Sequence, residues 1–140
     1  MHSGIWRSKA SSHGVGRVLV VDDDPNARAS LERILSQAFK VEGAEGIAEA
    51  LSLLEVGQFD VVIANCKLKD GTGPSLVDEV AERHPQIMTM IVTGDAYDPE
   101  VQRLQQDGRT LVIWKPVSAV DLLGWVRNAV VISRVSLAGS

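Results

Sequence analysis

Cysteine is almost absent from this 140-residue chain, and its scarcity excludes two kinds of architecture. Cys66 is the only cysteine, so the chain forms no internal disulfide and cannot assemble a zinc site from several thiolates. This usage fits a reducing compartment, and we expect a cytoplasmic protein. We expect Cys66 to be a small packing residue and not a redox sensor. At this length the chain can form one domain whose core needs neither disulfide nor metal.

Long apolar runs and an excess of positive charge are also missing. No stretch approaches the roughly 20 consecutive apolar residues of a membrane helix, so we expect no membrane span. The net charge is -4, which does not favour binding to the phosphate backbone, and we expect no nucleic acid partner. With 45% hydrophobic and 23% charged residues, the composition is that of an ordinary globular domain.

Short β-branched apolar runs alternate with amphipathic segments through most of the chain. The runs predict buried strands at 17–21, 39–44, 59–64, 87–92 and 110–114. The segments between them carry apolar residues at helical spacing, for example over 47–56, and Asp24-Pro25 and Asp98-Pro99 mark two helix starts. Strict alternation at short spacing predicts a doubly wound α/β fold, in which helices cover both faces of a parallel sheet.

The pattern divides the chain into three segments. Residues 1–16 are rich in Ser and Gly and are expected to form a flexible N-terminal leader. Residues 17–132 carry the alternating pattern and form the predicted domain. The pattern fades beyond this point, and residues 133–140 are expected to form a C-terminal tail.

Polar side chains follow four of the predicted strands at the point where each strand ends. Asp22 and Asp23 follow the first strand, Asn65 the third, Thr93 the fourth and Lys115 the fifth. Because the carboxyl ends of parallel strands share one edge of the sheet, these residues should converge on one cleft. Two adjacent carboxylates suit Mg²⁺, and a hydroxyl with an ammonium group can hold the oxygens of a phosphoryl group.

Three motifs resemble the receiver domain of two-component response regulators. They are Arg17-Val18-Leu19-Val20-Val21-Asp22-Asp23-Asp24-Pro25, Met90-Ile91-Val92-Thr93-Gly94 and Trp114-Lys115-Pro116. The resemblance covers about residues 17–132 and implies a flavodoxin-like (βα)5 fold with strand order 2-1-3-4-5. It also implies a signalling module that is not an enzyme, with a histidine kinase or another signalling protein as its partner.

The resemblance implies a metal site at the ends of the first and third strands. Asp22 and Asp23 match the acidic pair that holds Mg²⁺ in receiver domains. The Asn65 side chain and the Lys67 backbone carbonyl are further candidate ligands. Because an amide carries no charge, we expect this site to bind Mg²⁺ weakly, and we expect no other cofactor.

Asn65 stands where the resemblance places the phosphoacceptor aspartate. An amide supplies no anionic oxygen nucleophile, so an acyl phosphate cannot form there. In one interpretation the chain is a receiver-like module that acts through protein–protein interaction and is not phosphorylated at residue 65. In the alternative it is an ordinary phosphoryl-accepting receiver whose acceptor aspartate is replaced by Asn65.

Other positions match the family pattern or depart from it. Thr93 matches the switch hydroxyl and Lys115 matches the phosphate-contacting lysine, whose bond to Pro116 is expected to be cis. Lys67 and Lys69 follow Asn65, and Lys69 stands where the family usually has proline; if either side chain folds back, it could occupy the place of the cation beside the acidic pair. Val112 stands where the family usually has the aromatic residue that moves with the threonine.

The family resemblance suggests that partners, a second copy of the chain among them, contact the face of the fourth helix, fifth strand and fifth helix. The residues expected there are Val101, Leu104, Trp114 and Trp125, and packing is the favoured role of both tryptophans. A flavodoxin-like enzyme that binds a small molecule is disfavoured. No Gly-rich loop follows the first strand, where Asp22–Asp24 would repel an anionic cofactor.

Overall fold

The fold is a five-stranded parallel sheet with helices on both faces. A computed structural model describes residues 14–138, with the side chains of residues 14–135. The sheet consists of β1 (Arg17–Val21), β2 (Lys40–Ala44), β3 (Val61–Asn65), β4 (Met88–Thr93) and β5 (Thr110–Trp114). The strand order is β2-β1-β3-β4-β5 and every pairing is parallel. This order confirms the predicted flavodoxin-like fold.

In the described part of the chain, five helices connect and follow the strands of the sheet. They are α1 (Pro25–Leu35), α2 (Ile47–Val56), α3 (Gly73–Arg83), α4 (Pro99–Asp107) and α5 (Ala119–Ala138). Asp24 caps α1 and Asp98 caps α4, because each carboxylate accepts a backbone N–H two residues further on, at 3.0 and 2.9 Å. Gly108 ends α4 in the left-handed conformation with φ of 75°. None of the helices in the described residues has the length and apolar character needed to cross a membrane.

The sheet separates two hydrophobic clusters, because successive side chains of a strand point to opposite faces. On one face Leu19 and Val62 pack with residues of α2, α3 and α4. On the other face Val20 and Ile63 pack with residues of α1 and α5. All four side chains are fully buried, which explains why β1 and β3 are continuously apolar in sequence.

The structure adds two features to the predicted elements. The segment after β3, which was expected to be loop, contains a short antiparallel hairpin of Lys67–Leu68 with Gly71–Thr72. The last helix continues to Ala138, into the segment expected to be a tail, and the Ser133 side chain is buried. The three segment boundaries stay predictions. Residues 1–13, most of the expected leader, lie outside the described part of the chain.

Gly73 allows the start of α3 to lie directly against the end of β3. Its N–H donates to the Cys66 carbonyl at 2.8 Å. A Cβ atom on Gly73 would collide with the Asn65 carbonyl oxygen and would lie 2.8 Å from Ile91 Cδ1. Because a backbone carbonyl in a paired strand cannot move away cheaply, a larger residue is not accommodated here.

We expect Gly73→Ala to lower the free energy of unfolding by about 2 kcal/mol or more through this steric conflict. Gly124→Ala is the matched control, because a Cβ atom on Gly124 in α5 meets nothing within 4 Å. The control should stabilise the protein by up to about 1 kcal/mol through the better helix propensity of alanine. Urea unfolding followed by circular dichroism measures both changes, and equal effects would contradict the steric argument.

Candidate functional site

The carboxyl ends of β3, β4 and β5 border a cleft of about 240 Å³. This cleft is lined by three of the polar residues predicted at strand ends, Asn65, Thr93 and Lys115. The other lining residues are Cys66, Lys67, Gly94, Asp95 and Asp98. Asp22 and Asp23 lie outside this lining, at the end of β1, which pairs with β3. The structure therefore brings the predicted residues to one edge of the sheet, with the acidic pair beside the cleft.

Asp22 and Asp23 differ strongly in their surroundings. Asp22 is 4% exposed and its Oδ1 accepts the Asp24 N–H at 3.0 Å, whereas Asp23 is exposed. Burial raises the pKa of the Asp22 carboxyl above its ordinary value, against the opposing effects of the Asp24 hydrogen bond and the positive charge of Lys115. The two neighbouring carboxylates thus provide one buried and one solvated oxygen donor group.

Asn65 makes a local hydrogen bond at the tip of β3. Its backbone is aligned with Val92 in the sheet, and its Nδ2 donates to the Lys67 carbonyl at 2.8 Å. A carbonyl only accepts hydrogen bonds, so the nitrogen and not the oxygen of the amide must face it. The side chain is therefore oriented by its own loop.

Thr93 and Lys115 end two neighbouring strands. Thr93 is 2% exposed, and its Oγ1 accepts the Asp95 N–H at 3.0 Å. The Lys115 N–H donates to the Thr93 carbonyl at 2.9 Å, and the Lys115–Pro116 bond is cis, as the resemblance implied. Within residues 14–135 the Lys115 ammonium forms no salt bridge, so it can meet an anionic group in the cleft.

Lys69 does not take the place of a cation beside the acidic pair. Its Nζ lies 3.5 Å from Glu45 Oε1, in an ion pair with the loop after β2, so that interpretation of Lys69 was wrong. Among the described side chains, no group of three or more His, Cys, Asp or Glu residues is arranged to hold a metal ion. The carboxylates at this edge are the acidic pair beside the cleft and Asp95 and Asp98 in its lining, and both of the latter accept local hydrogen bonds.

Asp70 has a structural role that the sequence analysis missed. Its two carboxylate oxygens accept the backbone N–H groups of Ile47 and Ala48 at 2.8 and 3.1 Å. These bonds cap α2, whose own N-cap, Gly46, has no side chain. They lower the pKa of Asp70. The pairing spans more than 20 residues of sequence, so no local capping signal could reveal it.

Cys66 is a packing residue at the floor of the cleft. Its side chain is 7% exposed, and its Sγ donates to Asp98 Oδ2 at 3.4 Å. Burial, with a smaller contribution from Asp98, raises the pKa of the thiol from 9.0 to about 11. A thiol with so high a pKa is protonated at neutral pH, which disfavours a redox role.

The expected partner face needs correction. Val101 is fully buried and Leu104 is 3% exposed, so neither can contact a partner. Trp114 and Trp125 are 39% and 37% exposed, more than the favoured packing role implied. Beside β5 lies a groove of about 410 Å³, whose lining includes Trp125 and Ile132. The exposed apolar surface on this side therefore comes from β5 and α5.

The parallel sheet, the acidic pair and the threonine and lysine at its edge define a receiver-type signalling domain. The chain belongs to the family of response regulator receiver domains, whose model matches residues 18–127. Val112, at the position where that family usually has an aromatic side chain, is half-buried and packs against the cluster of α2, α3 and α4.

Relatives and solved structures agree with this membership. The chain is 34% identical over 116 residues to the response regulator protein PilR of Pseudomonas aeruginosa, covering 81% of this chain and 25% of PilR. It is 31% identical over 118 residues to the sensor kinase CckA of Brucella abortus, covering 82% of this chain and 12% of CckA. A CheY-like receiver domain from Methanospirillum hungatei superimposes with a TM-score of 0.79 at 28% identity, covering 87% of this chain and 98% of that domain. The chain thus spans a quarter or less of these two relatives' length.

We expect Cys66 to react slowly with iodoacetamide at pH 8. Its raised pKa lowers the thiolate fraction about 100-fold relative to an ordinary thiol, and burial slows the reaction further. Asp98→Asn keeps a good helix cap but removes the negative charge beside the thiol, so the rate should rise. Mass spectrometry of the alkylated chain gives the rates, with urea-unfolded protein as the reference. A native rate equal to the unfolded rate would contradict the placement of Cys66.

Proposed function

We propose that this chain is a receiver-like signalling module that acts through protein–protein contacts and accepts no phosphoryl group at residue 65. The observation that carries this proposal is an amide at the tip of β3, bordering a cleft that also holds Thr93 and Lys115. In this proposal Asn65 occupies the phosphoacceptor position, Thr93 is the switch hydroxyl and Lys115 is the phosphate-contacting lysine.

The chemistry at residue 65 supports the proposal. Formation of an acyl phosphate requires an anionic carboxylate oxygen to attack phosphorus, and an amide has no such oxygen. In addition, the Nδ2 of Asn65 is directed at the Lys67 carbonyl. We propose that Asp22 and Asp23 remain as a weak Mg²⁺ site, and that the domain is held in one state or is switched by its partner.

A second candidate function retains phosphotransfer as the native reaction. Here Asn65 replaces a true acceptor aspartate, and the remaining machinery is intact. The observation in its favour is the presence at the strand ends of the buried Asp22, the buried Thr93 and Lys115, whose ammonium forms no salt bridge with the side chains of residues 14–135. The two candidates differ in whether an aspartate at residue 65 would be functional.

Incubation with acetyl phosphate and Mg²⁺ should leave the chain unmodified, because no nucleophile is available at residue 65. Intact-mass spectrometry should detect no added phosphate, and stoichiometric acyl phosphate would exclude the main proposal. Asn65→Asp separates the two candidates. Rapid phosphorylation of this variant favours the second, and an inert variant favours a domain that has left phosphorylation. Asn65→Asp combined with Lys115→Ala is the control, since it removes the lysine and should lower the rate at least 10-fold.

We propose that partners contact the exposed surface of β5 and α5, and that a second copy of the chain is one such partner. Along α5 the exposed residues Trp125, Asn128, Ile132 and Val135 lie on one stripe at alternating spacings of three and four. Such a stripe favours packing against another helix, and a polar Asn within it can set the register of two identical helices. A histidine kinase or another signalling protein is the alternative partner.

The chain's composition also bears on its nucleic acid binding and its cellular location. We propose that the chain is not an enzyme, that it binds no nucleic acid and that it acts in the cytoplasm. The net charge of -4 supports the absence of nucleic acid binding, and the single cysteine supports the cytoplasmic location.

Analytical ultracentrifugation at about 100 µM should show a dimer for the native chain. Val135→Asp should shift it to monomer, because a charge on the stripe would be desolvated in the helix pair. Val56→Asp is the matched control, since Val56 is 86% exposed on α2 and lies outside the proposed surface. A native chain that stays monomeric excludes the homodimer, as does equal dissociation by both substitutions.

A further inference from the structure

Three strand ends are closed by the same kind of local hydrogen bond. A side chain at or directly after the last residue of the strand bonds to the backbone two residues further on: Asp22, which follows β1, to Asp24, Asn65 to Lys67 and Thr93 to Asp95. At Asp22 and Thr93 the side chain accepts from an N–H. At Asn65 the polarity is reversed, because the amide donates to a carbonyl.

This reversal matters because the Lys67 carbonyl is a candidate ligand of the metal site. A carboxylate at residue 65 has no hydrogen to donate and would place an oxygen opposite the carbonyl oxygen. Two such oxygens repel each other unless a cation lies between them. The Asn65 Nδ2, at 2.8 Å from the carbonyl oxygen, supplies the positive end of a dipole at that place without any ion.

The same hydrogen bond also works against a cation. An amide that served as a metal ligand would have to present its oxygen, because both amide hydrogens repel a cation. To face an ion that the Lys67 carbonyl also binds, the oxygen would have to take the place of the nitrogen, and that rotation breaks the bond to Lys67. The Lys67 carbonyl oxygen has a second lone pair that could bind an ion. With Asn65 in its present orientation, however, that ion would lie beside the amide N–H, which repels it.

The surrounding backbone holds the loop in place without an ion. The Cys66 N–H donates to the Val92 carbonyl at 3.1 Å, and the Cys66 carbonyl accepts from Gly73 at 2.8 Å. Lys67 pairs with Thr72 in the short hairpin. The Lys67 carbonyl is therefore presented to Asn65 by backbone pairing, and its position does not depend on a ligand.

We propose that the Asn65 amide takes the place of a divalent cation at the Lys67 carbonyl, so that the amide itself opposes Mg²⁺ binding beside Asp22 and Asp23. This inference rests on the assignment of the metal and acceptor positions in the proposed function. It goes beyond the loss of one negative charge, because it assigns an opposing role to a neutral side chain.

Titration of MgCl₂ without any phosphodonor, by calorimetry and by tryptophan fluorescence, tests the proposal. The decisive comparison is the native chain with Asn65→Leu, which is neutral and similar in shape but lacks the amide. Asn65→Leu should bind Mg²⁺ about fivefold more tightly, the factor that corresponds to losing one competing hydrogen bond. Asn65→Ala provides the same comparison if the leucine variant does not fold, and circular dichroism establishes folding for each.

Asn65→Asp is the positive control for the remaining donors and should bind Mg²⁺ at least 10-fold more tightly than the native chain. If the native chain binds Mg²⁺ as tightly as the neutral variants, the amide does not oppose the ion, and if it binds more tightly, the amide acts as a ligand; either result makes the proposal wrong. Failure of Asn65→Asp to bind would also overturn it, because something other than the amide would then exclude the ion. Phosphate on the native chain would overturn the proposed function instead, and the metal titrations do not depend on that result.

Discussion

The pairing of β3 between β1 and β4 determines the geometry of the cleft. Ala64 is aligned with Val21 and Asn65 with Val92, so the residues that follow these strands emerge at one level of the sheet edge. A slip of one residue would turn Asn65 to the opposite face. Such a slip would also exchange the side chains of the two buried clusters, which differ in shape and in the helices that cover them. Packing on both faces therefore holds the position of a single polar residue at the edge.

Three polar side chains at this edge, those of Asp22, Asn65 and Thr93, form hydrogen bonds with the backbone of their own turns. Asp22 and Thr93 are buried, and each retains a hydrogen bond to the backbone of its own turn. These bonds offset part of the cost of removing polar atoms from water. Asn65 forms a similar local bond with donor and acceptor exchanged, because its Nδ2 donates to the Lys67 carbonyl. Local hydrogen bonds that require no ligand therefore hold these three side chains.

β5 contributes to the exposed apolar surface and leads directly into the cleft. Lys115 lines the cleft, and the preceding Trp114 is aligned with Thr93 in the sheet while remaining 39% exposed. The apolar stripe of α5 lies on the same side of the domain and continues beyond the groove that Trp125 and Ile132 line. A partner bound on this side would thus contact the strand that leads to Lys115 in the cleft.

The sequence by itself determined the class of fold and the chemistry available at the strand ends. Alternating short apolar runs and amphipathic segments predicted all five strands and five helices, and β1, α2 and β5 have the bounds that the pattern indicated. The identity of residue 65 decided, without any structure, that no carboxylate is present there. Only the tertiary structure decided where the Asn65 amide points and that Lys69 pairs with Glu45. It also decided that Asp70 caps α2. Finally, it decided that α4 buries its apolar residues while Trp114 and Trp125 remain partly exposed. The periodicity of apolar residues predicts the face of a helix or strand on which a side chain lies. The features above depend instead on contacts between segments far apart in the chain, or on the rotation of one side chain. Such contacts and rotations leave no local sequence pattern.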